Sequence, residues 1–245
     1  MNIFQAILLG LIQGITEFLP ISSSGHLIIT ETLLGLHVDS LKDFDIALHG
    51  ATLLAILIYF RRDLLNTKWW PWLILASVPA ALVGFFLEDV IDQVFRSATS
   101  VAIMMILVGA LFFIPEPKKS QKLTWWRALL MGLGQAVAII PGVSRSGATI
   151  FTGMQLGLSR EEAARFSFLL GSIAIAGAGL LKTLDTESIS LPLPILAAGF
   201  IAAFASSFFA ASFLMAFLKK HSFRIFGAYR IVLGILILSS IWILG

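Results

Sequence analysis

Long apolar segments separated by short polar connections make up most of the sequence. A helix that crosses a membrane needs about 20 mostly apolar residues. Six segments meet or approach this requirement and predict membrane-spanning helices: 44–60, 71–87, 99–115, 162–181, 193–218 and 225–244. Because the connections between them are short, the pattern predicts one all-α polytopic membrane domain over residues 1–245.

Two further apolar regions, 2–34 and 127–158, are interrupted by polar residues, proline and glycine. Each is long enough for two half-helices joined by a turn. Proline cannot continue the helical hydrogen-bond ladder, and glycine and serine favour turns. Non-helical backbone at membrane depth is tolerated only where protein buries it or where it lines a wet cavity. We therefore predict two re-entrant helical hairpins, with tips near Pro20–Gly25 and Pro141–Gly147.

The two interrupted regions are related to each other. A shift of 122 residues aligns 6–36 with 128–158 without a gap, and it matches a glutamine and the Ser-x-Ser-Gly of both tips. Apolar matches are common in such a composition, but polar matches are not. The chain is therefore predicted to be a duplication, with halves of roughly 1–115 and 120–245. Because each half holds three spans, an odd number, we expect an inverted-topology repeat.

The charges in the loops support this topology. When sides are assigned by alternation, twelve lysines and arginines fall on one side of the membrane and three on the other. Cytoplasmic loops carry the excess of positive charge. Both termini are therefore predicted on the outer side of the cell membrane. The first hairpin then enters from outside and the second from the cytoplasm, and their tips can meet within the protein.

The composition agrees with a membrane protein and excludes several function classes. The chain is 58% hydrophobic and 13% charged with a mean hydropathy of +0.94, whereas soluble domains are about 25% charged. It contains no cysteine, which excludes disulfides and thiolate metal sites. The formal net charge is +3 and the basic residues lie in short loops, so no nucleic-acid partner is indicated.

Glu17 is a carboxylate inside the first apolar hairpin. Such a side chain costs about 2.5–3.5 kcal/mol at the bilayer centre and usually has a functional reason to be there. Gln13 lies four residues earlier and shares a helix face with Glu17. We predict Glu17 as a general base or metal ligand, with Gln13 beside it at a metal ion or the substrate, since Mg²⁺ takes one or two carboxylates plus phosphate oxygens. The alternative is a glutamate at the interface that faces water.

A serine run and a histidine follow Glu17: Ser22, Ser23, Ser24 and His26. A hydroxyl, an imidazole and a carboxylate within one short segment are the groups that supply a nucleophile, a base and an orienting group. Ser22, Ser23 and Ser24 are candidate nucleophiles, with Ser23 preferred and direct attack by water as an alternative, and Ser24 is also a candidate substrate contact. His26 could attack phosphorus itself or act as the acid–base partner of a serine. The structural alternatives are a histidine satisfied in the core and serines that cap the second half-helix.

Arg145 at the second tip needs an anionic partner, and its planar fork suits phosphate. Small and hydroxyl-bearing residues around it are predicted to bind the same anion: Gly142, Ser144, Ser146 and Thr149. A half-helix that begins here would point its free N–H groups at the anion. The alternative is a structural pair between Arg145 and Glu17.

Other polar residues are interpreted as structural. Asp45 and His49 lie four residues apart at the start of the first span and are interpreted as an interfacial pair outside the chemistry. Ser159 and Glu162 predict a capping box at the start of the fourth span. Arg230, just inside the last span, is interpreted as a residue that snorkels to the interface.

With both tips defined, the chain resembles the undecaprenyl-diphosphate phosphatase family of the bacitracin-resistance type over nearly its whole length. The resemblance rests on QGITEFLPISSSGH at 13–26, PGVSRSGAT at 141–149 and GLSREEAARFSFLL at 157–170. It implies six spans, two re-entrant regions and an inverted repeat. It further implies removal of the terminal phosphate from a C55 isoprenoid diphosphate, recycling of the lipid carrier for cell-wall synthesis, and a divalent cation, Mg²⁺ or Ca²⁺. The family has Glu or Gln where this chain has Gln13, so one carboxylate stands here instead of two.

Two function classes remain open from the sequence. One is a membrane phosphatase acting on a polyprenyl diphosphate lipid whose tail lies between the spans. The other is a transporter or flippase of phosphorylated polyprenyl lipids, because inverted repeats with meeting hairpins are a transporter architecture. A carrier needs Arg145 but not Glu17 and His26 together, which favours the phosphatase. The nucleophile, the preferred metal and the oligomeric state stay open, with a homodimer as one alternative.

Overall fold

The structure of the chain is a computed structural model that describes residues 1–36, 41–95, 97–117, 121–184 and 191–244. In chain order the helices are α1 (Ile3–Phe18), α2 (Ser23–Leu33), α3 (Lys42–Tyr59), α4 (Arg61–Leu64), α5 (Trp70–Phe95), α6 (Ala98–Leu111), α7 (Trp125–Val137), α8 (Arg145–Gln155), α9 (Arg160–Leu184), α10 (Leu193–Leu218) and α11 (Arg224–Leu244). A short 3-10 helix, Thr67–Trp69, precedes α5. Three of the charges counted in the loop pattern, Arg96, Lys118 and Lys119, lie outside the described residues.

Within the described residues, four helices are long and apolar enough to cross a membrane: α5 with its 3-10 turn, α9, α10 and α11. The shorter helices α1, α3 and α6 are apolar as well. Large apolar side chains point outward, as at Phe85 with 75% and Trp242 with 87% of the residue exposed. Helices of this length with exposed apolar surfaces are typical of a multi-pass membrane protein, because a helix satisfies its own backbone hydrogen bonds in lipid.

Each of the six predicted spans corresponds to one helix, but several ends differ. α10 coincides with the predicted 193–218, and α11 begins one residue before 225. α5 continues to Phe95 instead of ending at residue 87, because Glu88 and the acidic residues after it interrupt the apolar run without breaking the helix. α6 ends at Leu111, before the predicted residue 115, and has 14 residues. At 1.5 Å per residue its length is about 21 Å.

The two interrupted regions form helical hairpins that are broken at their tips. α1 and α2 pack together and are separated by residues 19–22, and α7 and α8 pack together and are separated by residues 138–144. The second helix of each hairpin begins earlier than predicted. Ser23 and Arg145 are therefore first residues of a helix, and not parts of an irregular turn.

Ser22 and Ser144 end the two breaks in the same way. Both have a positive φ, 76° and 72°, and both hydroxyls accept a hydrogen bond from a backbone amide of the helix that follows. A left-handed backbone costs a non-glycine residue about 1–2 kcal/mol, and such conformations cluster at functional sites. The two serines are 122 residues apart, which is the spacing of the sequence repeat.

Small residues bring each hairpin close to a long helix. α1 packs on α10, where a Cβ at Gly10 would clash with the carbonyl oxygen of Gly199. α7 packs on α5, where a Cβ at Gly132 would clash with the carbonyl oxygen of Ala76. Close backbone approach through small residues is how membrane helices associate. These contacts place the two tips in the interior of the helix bundle.

Candidate active site

Glu17 lies in the last turn of α1 and is buried, with 9% of the residue exposed. Its Oε2 accepts hydrogen bonds from Gln13 Nε2 at 3.1 Å and from Ser23 Oγ at 2.7 Å. Its Oε1 accepts a charge-assisted hydrogen bond from Arg145 Nη2. One carboxylate thus contacts a hydroxyl of its own tip and the guanidinium of the other tip.

Arg145 is held by both charged and neutral acceptors. Besides its bond to Glu17, it donates from Nη1 to the carbonyl oxygen of Gly171 on α9 at 2.7 Å. Its side chain keeps 20% of its surface exposed, so a ligand can reach part of the guanidinium. The neighbouring Ser146 donates from Oγ to the carbonyl oxygens of Glu17 at 3.2 Å and Leu19 at 3.4 Å. The second tip therefore binds the first through side chains and backbone.

The candidate serines of the first tip have different partners. Ser22 is 1% exposed, and its hydroxyl caps α2 and lies 3.4 Å from the Ser24 hydroxyl. This places Ser22 in a capping position, as one of the structural alternatives expected. Ser23 instead donates to Glu17, a carboxylate that can accept its proton. A hydroxyl paired with a base in this way is the arrangement of an activated nucleophile.

His26 has both ring nitrogens bound to groups other than the serine hydroxyls. Its Nδ1 lies 2.7 Å from the carbonyl oxygen of Ser22, and its Nε2 lies 2.8 Å from the hydroxyl of Tyr229. A carbonyl only accepts, so Nδ1 carries the hydrogen and Nε2 of the neutral ring accepts from the Tyr229 hydroxyl. The two rings stack at 5.7 Å with 7° between their planes. No sequence signal marks Tyr229, because 203 residues separate it from His26.

Three other residues of the second tip are predicted from the sequence to contact the ligand. In this structure they bond to the backbone of the tip or shape it. Ser144 accepts from a backbone amide at 3.1 Å. Thr149 donates to the carbonyl oxygen of Arg145 at 2.8 Å and contacts the hydroxyl of Ser167 on α9. Gly142 has a φ of 92°, and a Cβ there would lie 2.6 Å from a carbonyl oxygen of α6. These three residues shape the loop and helix start that carry Arg145.

Arg230 corrects the sequence prediction, because it does not snorkel to the interface and has 0% of its surface exposed. Its guanidinium donates to the carbonyl oxygens of Gly142 at 2.6 Å, Pro20 at 3.2 Å and Met105 at 3.4 Å. The prediction is wrong because α11 faces the hairpin breaks, where carbonyls without a helical partner accept hydrogen bonds in place of water. The rule that a cation in an apolar segment needs a partner, as used for Arg145, would have found Arg230 too.

Two structural interpretations from the sequence have distinct outcomes. The N-cap of the predicted capping box is confirmed, since Ser159 Oγ accepts from the amide of Glu162 at 3.2 Å, while the Glu162 carboxylate accepts from the Ser159 hydroxyl at 3.1 Å. His49 binds the carbonyl oxygen of Asp45 through Nδ1 at 2.8 Å.

The candidate metal ligands are Glu17 and Gln13. Gln13 is fully buried, and its Oε1 has no hydrogen-bond partner. A buried amide oxygen next to a carboxylate fits a hard divalent cation, which takes oxygen ligands. The described part of the chain holds no cluster of three or more His, Cys, Asp or Glu residues that could bind a metal. A cation at Glu17 would therefore complete its shell with oxygens of substrate or water.

The fold and the site define a multi-pass membrane protein in which a buried carboxylate pairs with a hydroxyl of its own hairpin tip and with a guanidinium of the other. The chain matches the family described as Bacitracin resistance protein BacA over residues 6–236, and it belongs to that family. Proteins named undecaprenyl-diphosphatase are similar to it. The one from Desulforudis audaxviator is 38% identical over 256 residues, which cover 97% of either chain. Those from Thermomicrobium roseum and Pelotomaculum thermopropionicum are 41% and 42% identical over 97% of this chain and 98% and 96% of their own.

Proposed function

We propose that this chain is an undecaprenyl-diphosphate phosphatase, which hydrolyses the lipid diphosphate to the monophosphate and inorganic phosphate. Recycling of this carrier for cell-wall synthesis and bacitracin resistance follow from that activity. The family and the names of the relatives support it. The structural observation that carries the mechanism is the contact of Glu17 with Ser23 of its own tip and Arg145 of the other.

In the mechanism that this geometry favours, Ser23 is the nucleophile and Glu17 is its base. Ser23 Oγ attacks the terminal phosphorus while Glu17 takes its proton, and the bond from that phosphorus to the bridging oxygen breaks. The polyprenyl monophosphate leaves with the proton from Glu17. Water then attacks the phosphoserine, Glu17 accepts one of its protons and passes it to Ser23, and phosphate is released. His26 is not the base in this scheme, because its nitrogens bind Ser22 and Tyr229.

Arg145 would bind the terminal phosphate in place of Glu17. Its fork presents two parallel donors, and phosphate carries more charge than a carboxylate. Phosphoryl transfer needs little covalent help from a protein beyond positioning and stabilisation of the oxygens that carry charge. Arg145 is held at 2.7 Å by the Gly171 carbonyl oxygen, so it is preorganised for this task.

A divalent cation, Mg²⁺ or Ca²⁺, is part of the proposal. Glu17 and the unpaired Oε1 of Gln13 would hold it. When bound, such an ion neutralises phosphate charge and polarises the phosphoryl oxygen. Once Arg145 binds the phosphate, Glu17 Oε1 would be available to the ion, while Oε2 stays with Ser23 as its base.

We also propose the finer architecture: six spans in an inverted repeat within a single domain, with both termini outside the cell membrane. The positive φ of Ser22 and Ser144 supports the repeat, since the two caps are 122 residues apart. The packing of Gly10 on α10 and of Gly132 on α5 supports it as well, because these glycines have the same spacing. α3 and α6 would be the two shortest spans.

Phosphate release by purified protein in detergent, with the C55 diphosphate and Mg²⁺, tests the proposal. Wild type is expected to release phosphate, whereas Arg145→Ala is not. Arg127→Ala is the matched control, because Arg127 lies at the start of α7 and donates to Lys122 and Gln121 away from the tips. Equal release by wild type and Arg145→Ala would reject the phosphatase and leave the transporter, which needs no paired Ser23 and Glu17.

A further inference from the structure

Arg230 is the most deeply buried charged residue among the described residues, and the proposed reaction assigns it no role. None of its surface is exposed, and no carboxylate among the described residues pairs with it. Its acceptors are three backbone carbonyls, and its guanidinium lies 5.5 Å from the ring centroid of Phe112. Burying a cation without an ion-pair partner is costly, and in apolar membrane segments such residues usually have a functional reason.

The three carbonyls belong to three separate parts of the fold. Pro20 lies in the break of the first hairpin, Gly142 in the break of the second, and Met105 in α6. The carbonyls of Pro20 and Gly142 lie outside the helices, and without Arg230 they would lack a hydrogen-bond donor where water is absent. A planar guanidinium with five donors can serve acceptors in several directions at once. Arg230 is thus bonded to both tips.

We propose that Arg230 is the positioning residue of the site, which fixes the first hairpin tip relative to the second. Glu17 and Ser23 lie on one tip and Arg145 on the other, so the distance between the tips sets whether the phosphorus bound by Arg145 lies in line with Ser23. Arg230 makes no contact with the reacting groups and acts through Pro20 and Gly142. The expected effect on kcat rests on the proposed function, whereas the expected effect on the distance between the hairpins does not depend on activity.

The alternative reading is that Arg230 supplies positive charge near the phosphate, independent of its geometry. Two substitutions separate these readings. Arg230→Met removes both charge and fork but keeps much of the volume, and Arg230→Lys keeps the charge while replacing the fork by a single ammonium. Arg127→Met is the matched control, since Arg127 also donates to a backbone carbonyl, of Lys122, and lies over the Trp126 ring.

The distance between the two hairpins can be measured with spin labels on introduced cysteines, because the chain has no cysteine of its own. Spin labels at Leu11→Cys on α1 and Leu133→Cys on α7 report on the two hairpins, and both positions are exposed, at 40% and 47%. Pulsed electron resonance then gives the distance distribution in detergent. Phosphate release gives kcat and KM for the same variants without labels.

We expect Arg230→Met and Arg230→Lys to broaden or shift the distance distribution and to lower kcat on the order of 10²-fold, as a misplacement of about 1 Å can do. Arg127→Met should match wild type in both measurements. Wild-type kcat in either Arg230 variant overturns the proposal, and so does a loss of kcat with an unchanged distribution. If Arg230→Met does not fold, Arg230→Lys decides. Inactive wild type with an intact narrow distribution would count against the proposed reaction and not against the positioning role.

Discussion

Ser23 donates a 2.7 Å hydrogen bond to Glu17 across the break that separates α2 from α1. Neither residue would be reactive alone, because a serine hydroxyl is a weak nucleophile at its own pKa and needs an adjacent base. The bond is possible because the chain reverses between Phe18 and Ser23, which brings the end of one helix to the start of the next. This reversal of the chain therefore brings the candidate nucleophile, Ser23, next to its base, Glu17.

Ser23→Ala is expected to lower kcat on the order of 10³-fold or more, as removal of a nucleophile does in hydrolases. Steady-state phosphate release measures it. Thr32→Ala is the control, since Thr32 lies on the same helix and donates only to the carbonyl oxygen of Ile28. If Ser23→Ala keeps more than a tenth of the wild-type kcat, attack by water or by His26 replaces the serine mechanism.

Tyr229→Phe is expected to keep kcat within about tenfold of wild type, because its hydroxyl binds His26, which is not the base of the serine mechanism, whereas loss of an acid–base residue costs about 10²–10⁴-fold. The substitution keeps the ring that stacks on His26 but removes the hydroxyl that binds Nε2 at 2.8 Å. Tyr59→Phe is the control, because the contacts of Tyr59 are the rings of Phe60 and Phe208. A loss of about 10²-fold or more in Tyr229→Phe would assign acid–base chemistry to His26 and contradict the serine–glutamate scheme.

Removal of divalent cations by a chelator should abolish phosphate release, and Mg²⁺ should restore it. Gln13→Glu is expected to lower the Mg²⁺ concentration for half-maximal activity, because it places a second carboxylate beside Glu17 where Mg²⁺ accepts one or two. A titration of kcat with Mg²⁺ in both proteins measures this. Full activity of chelated wild type would contradict a metal at Gln13 and Glu17.

Gly132→Ala should destabilise the protein by about 1–3 kcal/mol, the usual effect of overpacking a tight contact. The added Cβ would overlap the backbone of Ala76, which a side-chain rotation cannot relieve. Gly177→Ala is the control, since nothing lies within 4 Å of a Cβ there, and in a helix it is neutral or stabilising. The thermal unfolding midpoint in detergent distinguishes the two, and equal midpoints would show that α7 does not pack closely on α5.

The helix ends show where sequence reasoning stops. α10 matches its predicted bounds because Pro192 and the polar Lys219 mark both ends of one apolar run. α5 does not, because its last two turns are acidic yet still helical. The length of an apolar run shows how many residues can lie within a membrane. The helix itself ends only where its backbone hydrogen bonding or its capping changes. Each predicted segment is therefore helical, but several boundaries were predicted wrongly, and the count of six spans stays a proposal.

By itself, the sequence determined the helical membrane class, the two hairpin breaks and the residue types at their tips, since apolar runs, prolines and serine–glycine turns act locally. Only the tertiary structure decided which groups meet. Arg145 reaches Glu17 across 128 residues, a pair that the sequence offered only as an alternative, and Tyr229 reaches His26 across 203, a contact that no local pattern encodes. The role of Arg230 was decided in the same way, because burial and carbonyl partners depend on how α11 packs against both tips.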